Sequence, residues 1–516
     1  MSDLERTSSW NGLEIIEEAD ELKKAAATDE VNDSEGKNET PDKASASSDG
    51  SDSNGSAGNG PENKQEPRRQ LTPQERRAER QKRRKQSRMI AFAVFAVLVI
   101  ITAIGAGFGI KALNEKKAAE QPQFPVVEEL PVEEEKTVVD MTPVITQEVE
   151  EEEPEEEKEP EQTKDELLDE MIESMIAEMT LEDKVAGLFV VTPESLTGQS
   201  AVTKAGDGTK EALEQYPVGG VIYFKQNISS SDQIKEMIDN TVSYCRYPLF
   251  IAVDEEGGDV ARVREALKLE KTLSAQELGE NNSFDDTKNT YKEIGSYLAE
   301  YGFNLDFAPV GDVLTNPDNK AIGNRSFGED AALVSDMVGG AIDGLHESNM
   351  VTCVKHFPGQ GGADADTHQT LASISGSRAD MEACELIPFK TAIEHGVDMI
   401  MVGHVSTPGI TDDGLPASLS KAIMTDMLRV DMEYNGVIIT DSMSMAAISE
   451  YYGADEAAIK ALKAGADMIL MPEDFEIAYK GVIHAVNEGT IDEKRIDDSL
   501  ARVYRIKYRD ELKDDN

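Results

Sequence analysis

Cysteine is scarce in this chain. Cys245, Cys353 and Cys384 are the three cysteines in 516 residues, too few and too widely spaced for a disulfide framework. Cys353 lies inside an apolar run and reads as a small core residue. Basic residues are also few. Lys and Arg total 51 against 101 Asp and Glu, a formal charge of −50, which argues against a general nucleic-acid partner. No Gly-x-Gly-x-x-Gly follows the first apolar run of the globular part, so the dinucleotide-binding fingerprint is missing. The first 75 residues or so are poor in aromatics and rich in Ser, Asp, Asn, Glu and Gly. Such a composition buries too little apolar surface to offset chain entropy, and disorder is expected there.

Long uncharged runs are absent with one exception, Met89–Ile110, which holds 22 residues and no charge. As a helix it extends about 33 Å, enough to span a bilayer core. The ten basic residues of Arg68–Arg88 precede it, and Lys111, Lys116 and Lys117 follow. The positive-inside rule then places residues 1–88 in the cytoplasm and the remainder outside, as a single-pass cell-membrane protein. A cleaved signal peptide is the competing reading, but its apolar segment is normally shorter and nearer the start. Glu148–Glu161 is almost all Glu, broken by Pro154 and Pro160, and reads as an extended, self-repelling linker. The expected division is a tail over 1–88, a membrane helix over 89–110, an acidic linker over 111–164 and a globular domain over 165–516.

Within that domain eight apolar runs alternate with longer amphipathic segments. The runs are Ala186–Val191, Val218–Phe224, Leu249–Val253, Phe303–Pro309, Met350–His356, Val397–Val405, Gly436–Thr440 and Ala466–Met471. Each is continuous rather than alternating in polarity, as parallel strands buried on both faces require. Helices are expected over Asp286–Tyr301, Ala331–His346 and Leu419–Met432. Gly302, Gly396, Gly436 and Gly465 are placed as residues that end helices. Eight strand–helix units predict an α/β fold, a single (β/α)8 TIM-type barrel. A doubly wound open sheet is the alternative.

In a barrel, functional residues gather at the C-terminal ends of the strands. Asp441 ends the seventh run, where a carboxylate is rigidly aimed and is already ionised near neutral pH, as a nucleophile needs. An N-cap for the following helix explains it equally well. His368 stands two residues after Asp366 in a Gly-rich loop. A carboxylate beside an imidazole favours the imidazolium and selects a tautomer, which suits an acid that later acts as a base. A solvated loop histidine is the plainer reading. Asp364, Asp366, His368 and His356 also look like metal ligands, but their spacing fits no fixed coordination pattern, and no metal or cofactor is expected. Lys355 and His356 follow the fifth run, where a buried ammonium demands a partner or a ligand. Asp254 is suited to accept hydrogen bonds from vicinal hydroxyls, with a helix or turn cap on the Gly257–Gly258 loop as the alternative. Arg325 is a planar fork for hydroxyls or a carboxylate, with a structural salt bridge as the alternative.

These residues, in order, resemble glycoside hydrolase family 3 and its β-N-acetylglucosaminidase (β-hexosaminidase) branch. The motifs are Met179–Val185, Asp254–Gly258 with Arg262, Arg325–Gly328, Lys355–Gly359 and Ile439–Asp441, and the likeness covers about residues 165–510. The resemblance implies a retaining exo-glycosidase without cofactor that removes terminal β-linked N-acetylglucosamine from cell-wall or chitin-type oligosaccharides. It implies that Asp441 is the nucleophile, His368 the acid/base and Asp366 its support, with Asp254, Arg262, Arg325, Lys355 and His356 at sugar-binding positions. Two departures stand out: Gln360 replaces a usual His after Lys355–Gly359, and Asp259 replaces a common Arg after Glu256–Gly258. Thr367 stands in place of Ser between Asp366 and His368. Another exo-glycosidase specificity, such as β-glucosidase, and a non-catalytic wall-binding barrel are the alternatives.

Overall fold

The structure, a computed structural model, describes residues 163–509. The expected tail, the run Met89–Ile110 and the linker up to residue 162 lie outside the described residues. Among the described residues no helix is long and apolar enough to cross a membrane.

Each of the eight apolar runs contains a strand of one parallel sheet. These strands are β1 (Phe189–Val191), β2 (Gly220–Ile222), β3 (Phe250–Val253), β6 (Leu305–Asp306), β7 (Val351–Phe357), β8 (Met399–Val402), β9 (Val437–Thr440) and β10 (Ile469–Leu470). Their neighbours run β10-β1-β2-β3-β6-β7-β8-β9. A parallel bridge between Ile439 and Met468 joins β9 to β10 and closes the ring. Closure removes the free edges that an open sheet would leave.

Two layers of apolar side chains explain the continuous runs. Residues at alternate positions, such as Phe250 and Ala252 on β3 or Val437 and Ile439 on β9, form one cluster inside the ring. Their neighbours, such as Ile251, Val253 and Ile438, pack outward in a second cluster with the surrounding helices. The helices Phe284–Glu300 and Ala331–Glu347 match their expected spans within two residues. The helix expected over Leu419–Met432 is divided into a turn at Ala417–Leu419 and a π-type helix at Ala422–Asp431. Gly302, Gly396 and Gly465 adopt the positive φ of a helix end. Gly436 does not. It leads into β9, and an added Cβ would stand 2.3 Å from the Tyr434 hydroxyl.

One element is not foreseen. Directly after β3 the chain forms a small antiparallel hairpin of β4 (Glu255–Gly257) and β5 (Val260–Ala261). Two consecutive Glu residues read as loop, yet here both are buried. Glu255 accepts hydrogen bonds from the N–H groups of Val263 and Arg264 and from the Tyr297 hydroxyl. That satisfaction is what permits the carboxyl to be buried.

The N-terminal end of the barrel is closed by the helix Glu493–Lys507. Its Val503 joins the interior cluster, and the Lys507 ammonium sits 4.7 Å from the centre of the Phe250 ring while donating to the Gly219 and Pro248 carbonyls. Beside it, fully buried Asp467 accepts from Arg429 at 2.6 Å, Arg502 at 2.9 Å and Ser499 at 2.8 Å. Its Oδ2 also accepts from the N–H of Ile438 on β9. One carboxylate thus links β9, β10 and two helices at the closure. Removing it leaves guanidinium groups without their counter-charge, at a cost of about 3–5 kcal/mol. Asp467→Ala is expected to lower the unfolding free energy by that amount. A change under about 1 kcal/mol would contradict the linking role.

Candidate active site

The period of two along a strand delivers the key side chains to the barrel mouth. On β3 the interior residues Phe250 and Ala252 are followed two positions on by Asp254. On β7 the interior Val351 and Cys353 lead to Lys355, and on β9 Val437 and Ile439 lead to Asp441. On the interior face each of these three strands is apolar until its last position, which is ionisable.

Lys355 is 2% exposed. Its ammonium lies 2.6 Å from Asp254 and 2.7 Å from Glu256. Glu256 is then gripped from its other side by Arg325, through Nε and Nη2, both at 2.8 Å. Burial alone would raise the Glu256 pKa, but the Arg325 and Lys355 charges overcome it and hold this carboxyl far below its usual range. The same contacts keep Lys355 and Arg325 protonated against their own burial. Two cations and two carboxylates therefore form one charged network at the mouth.

Beside it, His356 Nδ1 lies 2.7 Å from Asp312 Oδ2. Asp312 Oδ1 accepts from the backbone N–H groups of His356 at 3.3 Å and Gln360 at 2.6 Å. With Nδ1 as the donor to Asp312, Nε2 is the nitrogen left for a ligand. His404 is buried, with Nε2 at 2.9 Å from the Ser442 carbonyl and Nδ1 at 2.7 Å from the Ser418 hydroxyl. Burial lowers its pKa, and with the Ser442 carbonyl as acceptor Nε2 carries a proton.

Asp441 is half-buried. Burial would raise its pKa, but His404, His356, the Ser442 N–H and Lys355 together bring it below the ordinary value. Its Oδ1 accepts from that N–H at 2.6 Å. Asp441 thus reaches the site ionised and oriented. The helix that follows, Ala446–Ser449, starts further along the chain and draws no cap from it.

His368 and Asp366 form a contact pair on the loop after β7. Nδ1 of His368 is 2.8 Å from Asp366 Oδ1, which also accepts the His368 N–H at 2.9 Å. Gln369 donates to the other oxygen at 2.9 Å. Burial opposes ionisation of Asp366, yet these donors overcome it and its pKa falls. The His368 side chain is 61% exposed, so the ring edge bearing Nε2 is open.

The remaining expected residues separate. Asp364 accepts the Ser373 N–H and is a clip within its own loop. With His356 held by Asp312, the proposed metal quartet does not converge, and among the described residues no group of three His, Cys, Asp or Glu is placed to hold a metal. The Arg325 fork faces Glu256, and its Nη1 donates to the Ala321 carbonyl, so three of its nitrogens are bonded within the protein. Arg262 has a buried Nε without a partner among the described residues. Asp259 stands at the hairpin tip and accepts from Asn324 at 2.6 Å.

Glu256, Asp312 and His404 hold the site together, and their roles were not legible in the sequence. Glu256 lies on β4, Asp312 on the segment between β6 and the helix Ala331–Glu347, and His404 just past β8. Their partners are as many as 99 positions away (355 − 256), as for Glu256 and Lys355, so only the fold reveals them.

Comparison with known proteins gives a consistent picture. The family model described as the Glycosyl hydrolase family 3 N terminal domain matches residues 180–506. Beta-hexosaminidase LpqI of Mycobacterium tuberculosis is 32% identical over 338 residues, covering 63% of this chain and 82% of that protein. Beta-hexosaminidase A of Pseudoalteromonas piscicida is 29% identical over 338 residues, and the match spans only 56% of that longer protein. Among solved structures, a glycoside hydrolase family 3 beta-N-acetylglucosaminidase from Paenibacillus sp. str. FPU-7 superposes with a TM-score of 0.60 at 34% identity, over 65% of this chain and 63% of that one. M. tuberculosis LpqI superposes with a TM-score of 0.57 at 30% identity, over 65% and 96%.

The charged network has a pH signature. The Glu256 carboxyl is held below its usual 4.5 in the folded protein, so its contribution is present above that pH and is lost as pH falls through the lowered value. Glu256→Gln is expected to cost about 3–5 kcal/mol at pH 7, because two buried cations lose a counter-charge. The gap to the wild type should narrow below pH ~4.5. A gap of constant size across pH 3–7 would contradict the assignment.

Proposed function

The chain belongs to glycoside hydrolase family 3, and from that premise we propose that it is a retaining exo-glycosidase acting on terminal β-linked N-acetylglucosamine. The observation that carries the proposal is that the chain supplies both an ionised carboxylate at the end of β9 and an Asp-bound histidine on the loop after β7. The names of its relatives favour N-acetylglucosaminides over glucosides. Cell-wall or chitin-type fragments are the expected source of substrate.

Asp441 attacks the anomeric carbon while His368, as imidazolium, gives the Nε2 proton to the departing oxygen. The glycosidic C–O bond breaks as the glycosyl-aspartate bond forms, through an oxocarbenium-like transition state. Asp366 holds Nδ1–H and stabilises the positive ring. Neutral His368 then takes a proton from water, which attacks the same carbon and frees Asp441, so the configuration is retained. Asp254, Lys355 and His356 present donors and acceptors to the sugar hydroxyls at the mouth. Arg262 offers an unpaired donor to the same purpose, and Arg325 contributes by holding Glu256 against Lys355.

We place the domain outside the cell on a single-pass anchor formed by Met89–Ile110. The support is that run's length and the basic segment before it.

Nitrophenyl β-N-acetylglucosaminide should be cleaved in preference to the β-glucoside, and Asp441→Ala should abolish turnover. His368→Ala should lower kcat/KM on a chitobiose, whose leaving group needs the proton, by about 10²–10⁴. The loss on the nitrophenyl substrate should be far smaller. The wild-type rate should fall on the alkaline side as the acid loses its proton, and the variant should lack that limb. Equal losses on both substrates would refute the acid role, and preference for the glucoside would refute the specificity. Removal of residues 1–110 should move the protein from the membrane to the soluble fraction. A full-length chain already found in the soluble fraction would refute the anchor.

A further inference from the structure

We propose that Gln360 and Thr367 are positioning residues that fix the His368–Asp366 pair relative to the sugar-binding face, through one buried side-chain hydrogen bond. The inference rests on the proposed glycosidase reading and extends it to two residues that touch neither reacting atom.

Asp366, Thr367 and His368 are consecutive, but they face opposite ways. The side chains of Asp366 and His368 are 32% and 61% exposed, whereas Thr367 is fully buried. Gln360, at 3% exposure, donates from Nε2 to Thr367 Oγ1 at 3.0 Å. Turned the other way, the amide would accept from the threonine hydroxyl, so the contact survives either orientation. The hydrogen bonds of Asp366, His368 and Gln369 stay within the loop. The segment Asp366–Thr370 is tied to the barrel by the Gln360 bond and by a long bond of 3.4 Å from the Ala447 N–H to the Thr367 carbonyl. Thr367 is the pivot in both.

Gln360 is itself rigidly held. Its N–H donates to Asp312 at 2.6 Å, and its carbonyl accepts from Asn319 at 2.8 Å and from Ala363 at 3.1 Å. Asp312 is the carboxylate that orients His356. A continuous line therefore runs from His356 through Asp312 and Gln360 to Thr367 and the acid/base pair. It joins His356 to the acid/base pair. Because the acid/base pair is exposed and the segment Asp366–Thr370 has few other ties among the described residues, this bond sets where His368 Nε2 points. A misplacement of about 1 Å suffices to cost a large factor in proton transfer.

The variants Thr367→Val and Gln360→Met keep shape and apolar packing but delete the bond, and Thr367→Ser keeps the hydroxyl. On the full chain, kcat/KM is measured for a chitobiose and for nitrophenyl β-N-acetylglucosaminide, together with the melting temperature. The valine and methionine variants are expected to lose roughly tenfold or more on the chitobiose and under about threefold on the nitrophenyl substrate, with the serine variant near wild type on both. Equal losses on the two substrates, or no loss with the bond deleted, would overturn the proposal. Should one deletion variant fail to fold, the other decides. If the wild type itself cleaves neither substrate, the glycosidase reading fails instead, which is a different outcome from wild-type cleavage with indifferent variants.

Discussion

A lysine ammonium that is almost wholly buried at the mouth of a barrel must be neutralised, and much of the site follows from how Lys355 meets that demand. Asp254 takes one side and Glu256 the other. Glu256 can sit there because the hairpin after β3 turns it inward, and Arg325 completes its coordination. Breaking one contact strands a charge in a medium that solvates it poorly, so the network is held as a unit. Its position matters as much as its charge. It lies where β3 and β7 end, next to the carboxylate on which β9 ends.

The two ends of the barrel solve opposite problems. The N-terminal end is sealed: Val503 fills it, Lys507 lies over Phe250, and Asp467 draws the last two strands and two helices together. The C-terminal end is left polar and partly open, with Asp441 half-buried and His368 exposed. Rigidity below allows exposed chemistry above. The weakest point is the loop carrying His368, and the bond from Gln360 to Thr367 addresses that weakness.

Much of this was legible in the residues alone. Doubly buried parallel strands write themselves as continuous apolar runs, and all eight runs contain strands. Polar residues at the strand ends then mark Asp254, Lys355 and Asp441 as candidates at the mouth, and the spacing of Asp366 and His368 foretells their contact. What stayed hidden was pairing across the fold. Lys355 and Asp254 are 101 positions apart, and nothing local in either announces the other. Nothing local shows that Glu255 and Glu256 are buried, because the partners that permit it include Tyr297, Arg325 and Lys355, far along the chain. Gly436 looked like a helix end, but it is glycine because the Tyr434 hydroxyl leaves no room for a side chain. Arg325 read as a fork for hydroxyls or a carboxylate, or else as a structural salt bridge, and it bonds Glu256 and the Ala321 carbonyl.

The central claim is that the carboxylate at the end of β9 becomes covalently bonded to the sugar. The most direct test is to treat the protein with 5-fluoro-N-acetylglucosaminyl fluoride, which slows release of the second step, and to map the labelled peptide by mass spectrometry. The account predicts one sugar per chain, attached to Asp441. A label on another residue, or steady turnover through a configuration-inverting reaction with no label at all, would contradict it.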